Sequence, residues 1–378
     1  MDLWRRRFTL FRLTKGQLSA ILLGSATWIR NSTCRQSLKN MGHNMARGLS
    51  DQFLESFKEG LLSPVLKEVR EEGMILDFQI RSEEVHIYYR GGKILGIKPD
   101  PSQSGYIFSF DVNYFSHSRE AGIPNSKALV RTAKEVSAWL GRLPDVKRAI
   151  DRHQAQVSEK AEREFQQMIS RENTYSASAN QSDYFIVDIE YQTSVGLDKG
   201  KATKFDLLGI HWPAEAAKRR NAHAQRPTLA LFEMKYGDKA MKGSSGMVGH
   251  LTNTLAFAQQ KGAIEELREE AILLFQQKRE MGLVRFGADT QPGRIVALSD
   301  NKPQFVFLMV NHPPRSTILK SVLDSEDFRQ SHSALSEFMD IRFAVANFLG
   351  YGLYESCMLT LEEFMNRLES WYGTVGSA

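Results

Sequence analysis

Apolar residues recur three or four apart through Leu49, Phe53, Phe57, Leu61, Leu62, Val65 and Val69, which predicts an amphipathic helix from Gly48 to Arg70. Four β-prone runs follow, at 74–80, 84–90, 93–98 and 105–112, with Gly91-Gly92 as a tight hairpin turn between two of them. A helix plus β-meander is thus the expected shape of residues 46–142, which end in a helical stretch over 126–142. Pro144 can open the next helix, running to about Glu172. Three strand-like runs then stand at 184–192, 203–210 and 228–236. Helical composition covers 246–260 and 262–280, and strand character returns at 294–298 and 304–311. His312-Pro313-Pro314 stops that last strand, because proline supplies no backbone donor. Residues 315–378 are mixed and close with a helix at 360–371. No internal repeat or low-complexity tract interrupts this order.

Composition narrows the class. A chain of 378 residues, 42% hydrophobic, can bury a sizeable core in one large domain or two moderate ones. Its longest apolar runs, such as Phe305 to Val310, are too short to cross a bilayer, so the expectation is a cytoplasmic protein with no membrane partner. Cys34 and Cys357 are far apart and lack metal-ligand spacing, which argues against a cysteine zinc site and for a reducing compartment. The net charge of +5 comes from the first 50 residues, which hold nine Lys or Arg against Asp2 alone; the rest carries 40 bases and 43 acids. Nucleic acid would therefore have to be met by a local basic patch. The arm itself, 1–45, is open to several readings. Leu18 to Ala26 suits a short secretory core and the Arg-rich, nearly acid-free composition suits organelle targeting, while the plainer alternatives are a disordered arm or a misassigned start with Met41 or Met45 as the natural first residue.

The chemistry concentrates in the middle of the chain. Strand alternation through Leu231-Phe232-Glu233-Met234-Lys235-Tyr236 puts Glu233 and Lys235 on one face and Phe232, Met234 and Tyr236 on the other. In the preceding strand Asp206 is the only charge between Phe205 and Ile210. Pairing these strands brings Asp206 beside Glu233, two hard oxygen donors of the kind Mg²⁺ or Mn²⁺ prefers. One strand earlier, Asp188 and Glu190 alternate outward from Phe185, Val187 and Ile189, and Glu190 is the better third acid because it lies nearer the strand end. The competing reading is that Glu233 and Lys235 form a solvated face of an edge strand, with Asp206 and Glu190 doing likewise.

An acid on one strand and E-x-K on the next, in the order helix, three strands, helix, strand, resembles the PD-(D/E)XK nuclease superfamily over about 150–312. The resemblance implies an α/β (α+β) protein with a restriction-endonuclease-like core of mixed sheet flanked by helices. It implies that Asp206 and Glu233 bind Mg²⁺ or Mn²⁺, with Glu190 as a further ligand, and that Lys235 orients water and stabilises charge. Many members add a Glu from the preceding helix, for which Glu162 and Glu164 are candidates. Phe205 replaces the motif's proline.

Supporting features surround this set. Gly237 to Gly246 is glycine- and serine-rich and carries Lys239 and Lys242, suited to approaching a phosphate at a helix start. His250 and Asn253 share one face of the following helix. The 213–227 connection holds Lys218, Arg219, Arg220 and Arg226, a candidate phosphate clamp. The expectation is therefore a basic arm at 1–45, a helix-plus-meander region at 46–142, a nuclease-like core at 143–312 and an extension at 313–378 packed on that core. The expected activity is Mg²⁺-dependent endo- or exonucleolytic hydrolysis, of DNA, by a monomer or homodimer; restriction, defence or mobile-element roles follow by analogy only. The competitors are a catalytically inactive nucleic-acid-binding protein of the same fold and a protein-interaction module.

Overall fold

A computed structural model describes residues 47–73, 75–115, 126–156, 161–193, 203–220, 226–285, 295, 297–312, 316–345 and 350–373. The arm at 1–45 and its alternative readings lie outside the described residues. Residues from Arg47 onward form one compact unit.

The amphipathic stretch opens this unit as two helices, α1 (Asp51–Lys58) and α2 (Ser63–Glu71), rather than one. Ser50 caps the first by accepting from the Phe53 amide. The break falls at Gly60, where a Cβ would stand 2.8 Å from the Ser56 backbone, and Pro64 starts the second helix. The apolar stripe survives the break: Phe53, Phe57, Leu62, Val65 and Val69 are all buried.

The first sheet is an antiparallel meander in the order β1 (Leu76–Arg81), β2 (Glu84–Tyr89), β3 (Gly92–Pro99), β4 (Tyr106–Ser109) and β5 (Lys127–Val130). The β2–β3 turn is Arg90-Gly91, not Gly91-Gly92. Both turn residues have positive φ, 48° and 74°, and Gly92 already pairs with Tyr89. This is the backbone of a two-residue hairpin whose twist matches its strands. The stretch 126–142, expected to be helical, begins instead as β5, because Lys127 to Val130 find a partner in β4. Its helix, α3 (Ala133–Leu140), starts only after a Thr132–Glu135 capping box. The long helix expected to begin at Pro144 is two elements, α4 (Leu143–Gln156) and α5 (Ala161–Thr174).

The second sheet is mixed. Its order is β11 (Met358–Leu359), β10 (Asp340–Ala344), β9 (Gln304–Val310), β8 (Thr228–Tyr236), β7 (Thr203–His211) and β6 (Tyr184–Thr193). The β6–β7 and β7–β8 pairs are antiparallel, β8–β9 and β9–β10 are parallel, and β10–β11 is antiparallel. The parallel steps need crossovers. The chain supplies α7 (Met247–Ala258) and α8 (Ala263–Glu280) for the first, after a short α6 (Ala216–Arg220), and α9 (Thr317–Leu323) and α10 (Glu326–Ser336) for the second. The carboxy-terminal region thus does more than pack on the core: β10 and β11 complete its sheet, before a final helix α11 (Leu361–Gly373). Among the described residues of 294–298 there is no strand, although Ile295 and Leu298 are buried.

Helices cover both faces of this sheet, so its central strands read as nearly continuous apolar runs. Leu207, Ala230, Phe232, Met234 and Val306 pack toward Phe165 and Ile169 of α5. Leu208, Leu229, Leu231, Phe305 and Phe307 face the other way, into a core shared with α7, α8 and the meander.

Candidate active site

β7 and β8 pair from His211↔Thr228 to Leu207↔Phe232 and no further, although both strands continue. Beyond that pair β7 is bonded to β6 and β8 to β9, so the sheet opens into a fork. Asp206, Glu233 and Lys235 are the residues immediately inside it. The strand distortion continues one strand over. Ile189 and Leu207 belong to the α5 side of the sheet, yet Tyr191 and Phe205, two residues along, belong to the other. A regular strand keeps i and i+2 on one face. The flip occurs at Glu190, whose φ is 51°, directly across from Asp206.

The fork is crowded with buried charge. Glu233 is 2% and Lys235 3% exposed. The Lys235 ammonium donates to Glu233 Oε1 at 2.6 Å and to the Ser245 carbonyl at 3.1 Å, which ties the glycine-rich loop over the site. His250 Nδ1, from α7, lies 3.0 Å from Glu233 Oε2. Asp206 accepts from the Met234 amide at 2.7 Å and from Gln166 Nε2 of α5 at 3.0 Å. Burial first, then the charges of Glu233 and Glu162, push the Asp206 carboxyl well above the usual Asp range, against the Met234 amide and Lys235. Glu162 is itself pushed up, chiefly by burial and then by Glu233 and Glu190, with Lys235 and His250 opposing.

The site helix is placed by the meander. The Arg90-Gly91 turn docks against the start of α5, where a Cβ on Gly91 would stand 2.7 Å from both Arg163 C and Glu164 N. The Gly91 amide donates to Gln167, and Arg90 bonds Glu164 and Asp151 at 2.8 Å each. Glu164 is therefore held by the meander, and Glu162 is the acid that α5 turns toward the fork. A strap on the other side fixes the end of β8. His312 Nε2 lies 3.1 Å from the Lys235 carbonyl, and its Nδ1 lies 3.0 Å from Asp238, which also accepts from Ser316 at 2.6 Å.

The structure thus gathers Asp206, Glu233, Lys235 and His250, with Glu190 at the rim, where it faces Arg163 at 3.7 Å. It separates other predicted residues from them. Asp188 does not point outward; it is wholly buried between Arg47 and Arg81. The connection bearing Lys218, Arg219 and Arg226 leaves the opposite end of β7, roughly 16 Å along the strand from Asp206. Lys218 pairs with Glu215 at 2.7 Å, and the buried Arg219 donates to the carbonyls of Asn180, Ser182 and Trp212. This arginine is 4% exposed and caps backbone, so burial rather than exhausted donors removes it from phosphate binding; the Arg220 side chain lies outside the described residues. Lys239 and Lys242 are exposed at the fork end, with no ion pair to either among the described residues. Sequence reasoning missed Gln166. The signal was present: it stands four residues after Glu162, on the same face of one helix.

The donor set fits a hard divalent cation in one respect and is unfinished in another. Three acids face one lysine, and the buried Gln166 Oε1 beside Asp206 has no hydrogen-bond partner. A cation would supply both missing interactions. As the side chains stand, with Lys235 and His250 on the Glu233 oxygens, no three Asp, Glu, His or Cys among the described residues are close enough together to share an ion. Among the described residues no helix is long and apolar enough to cross a membrane. Comparison of the chain with protein-family models, curated proteins and solved structures finds no match.

Proposed function

We propose that this protein is a metal-dependent nuclease with a PD-(D/E)XK-type core, hydrolysing phosphodiester bonds in DNA. The observation that carries the reading is the fork itself: two strands part where Asp206, Glu233 and Lys235 meet, leaving acids in excess around a buried Glu233–Lys235 pair. The order α5, β6–β8, α7–α8, β9 supports the core assignment, and a mixed sheet covered on both faces accords with it.

Asp206 and Glu233 would hold Mg²⁺ or Mn²⁺, with Glu162 and the free Gln166 oxygen as the nearest further donors. When bound, the ion supplies Lewis-acid stabilisation of the phosphoryl oxygens and acidifies an attacking water. The chain's own groups prepare for that charge. Burial and two neighbouring acids oppose ionisation of Asp206, a bias that positive charge arriving at the fork would offset. Lys235, pinned by Glu233 and the Ser245 carbonyl, orients water and meets negative charge developing on the phosphate. His250 fixes the second Glu233 oxygen.

The test is degradation of supercoiled plasmid and of linear oligonucleotides with Mg²⁺ or Mn²⁺ against EDTA, comparing wild type with Asp206→Asn. Metal-dependent cleavage lost in the variant is expected. Cleavage that survives unchanged would remove Asp206 from the site, and no cleavage of DNA or RNA by the wild type would remove the activity.

A further inference from the structure

Beside the acid cluster, on the α5 side of the sheet, lie three aromatic rings that the cluster's chemistry does not use. Tyr236 follows Lys235 directly and, by strand alternation, faces away from it. Its ring centroid is 5.6 Å from that of Phe165, which lies 6.0 Å from Tyr351. Phe165 in turn precedes Gln166, the residue that bonds Asp206. The rings are tilted by 37° and 57°, so they form a ledge rather than a closed stack. Tyr236 and Phe165 are half-buried, and Tyr351 is 41% exposed, one of three exposed large hydrophobic side chains among the described residues. The Tyr236 hydroxyl is held by Asn311 Nδ2 at 3.0 Å, from a left-handed residue at the end of β9. Exposed cations lie close by in sequence: Arg163 on α5, which faces Glu190 at 3.7 Å, and Lys239 and Lys242 on the loop that follows Tyr236.

We propose that this ledge stacks unpaired bases of the strand whose phosphate lies at the fork, so that the substrate is single-stranded or frayed nucleic acid rather than intact duplex. The proposal rests on the nuclease reading and names its substrate class. The physical case is one of adjacency. Tyr236 and Phe165 each adjoin in sequence a residue that borders the fork, so backbone steps of about 3.8 Å join the ledge to the acid cluster around the edge of β8 and α5. Base faces in a continuous duplex are covered by their neighbours and offer nothing to a ledge, whereas unpaired bases stack on aromatic rings without regard to sequence, their backbone tracked by cations. Tyrosine suits such a surface because its apolar ring stacks while its hydroxyl remains wet or bonded.

The experiment is fluorescence anisotropy of the full chain in EDTA, where cleavage is suppressed. The probes are a labelled single strand, the same sequence as a blunt duplex, and that duplex with a single-stranded flap. Wild type should bind the single strand and flap at least about tenfold more tightly than the duplex. Tyr351→Ala should lower single-strand affinity about tenfold, the loss of one stacked base, and leave duplex affinity unchanged; Tyr351→Trp should retain the preference. Because Tyr351 is exposed, melting temperatures of all three proteins should coincide. Equal affinity of wild type and Tyr351→Ala for the single strand, or duplex bound as tightly as single strand, would overturn the ledge, as would absence of nucleic-acid binding. Its failure is distinguishable from that of the activity. Selective single-strand binding without cleavage in Mg²⁺ or Mn²⁺ keeps the ledge and removes the nuclease, while cleavage of intact duplex unaffected by Tyr351→Ala does the reverse.

Discussion

Asp188 and Glu190 stand two residues apart on β6, yet they border two buried charge clusters of opposite construction. Around Asp188 every polar atom has a partner. Arg47 takes one carboxylate oxygen; Arg81 and the Ile189 amide take the other. Arg81 also donates to the Ile189 carbonyl at 2.7 Å, and the Arg47 guanidinium lies 4.2 Å over the Tyr191 ring. A step away, Lys278 donates to Gln79, which donates to Asp77, each at 2.8 Å. Three bases, Arg47, Arg81 and Lys278, meet two acids, Asp188 and Asp77, and Asp77, Gln79 and Arg81 come from β1, so the network joins the meander to the second sheet. The fork beyond Glu190 has the reverse balance: Asp206, Glu233 and Glu162 against Lys235, with an orphaned amide oxygen beside them. A saturated cluster leaves nothing for a ligand. The acid-rich one, with Glu233 buried and Asp206 and Glu162 half-buried, is short of positive charge, which is the difference expected between a structural ion network and a site.

That contrast can be broken at either side. The largest effect is expected from Asp188→Ala, which strands two arginines in the interior and should cost roughly 3–5 kcal/mol in urea unfolding. A variant as stable as wild type would show that the network is not structural. Next comes Lys235→Met, expected to lower metal-dependent cleavage roughly 10²–10³-fold, the scale of losing one positioned charge-stabilising group. It should also destabilise the protein by leaving Glu233 buried beside His250 alone, and adding Glu233→Gln should restore stability but not activity. Loss of stability without loss of cleavage would make Lys235 a packing residue.

Two pH measurements sharpen the same comparison. Burial pushes the Lys278 ammonium from its ordinary value down to about 8, with Asp77 and Asp188 opposing and Arg81 adding to the depression. A depressed base contributes full stability only above its unfolded value, and loses it as pH falls through the folded one. Wild type should therefore gain stability between pH 8 and about 10, and Lys278→Met should flatten that slope by roughly 3 kcal/mol. Asp206 has the opposite sign. Its raised folded pKa favours the fold below about pH 4, the unfolded Asp value, and the advantage is lost as pH rises through the folded value. In EDTA, Asp206→Asn should melt higher than wild type at pH 8 and about equally at pH 4. Mg²⁺ should raise the wild-type melting temperature and leave the variant's unchanged, the smallest of the expected shifts. A variant that melts below wild type in EDTA would contradict the excess of acid on which the site assignment stands.

Local pattern was enough for much of this protein. Period-two alternation alone put Glu233 and Lys235 on one strand face, and apolar runs marked β6, β7, β8 and β9 with the isolated Asp206 among them. Alternation failed at Glu190, where a left-handed backbone flips the strand, and at Asp188, where an inward acid is paid for by arginines from 107 and 141 residues away. Helical periodicity could not choose between Glu162 and Glu164, two residues apart on α5. The Arg90-Gly91 turn chose, by holding Glu164 and fixing how the helix sits. Nor was the basic 213–227 connection's distance from the site legible, since its charge is local but its position is set by which strand end it leaves. Short-range sterics and hydrophobic period determine faces and elements along a chain. Which charges share a buried space depends on contacts between segments far apart in sequence, and those exist only once the two sheets have packed around α5.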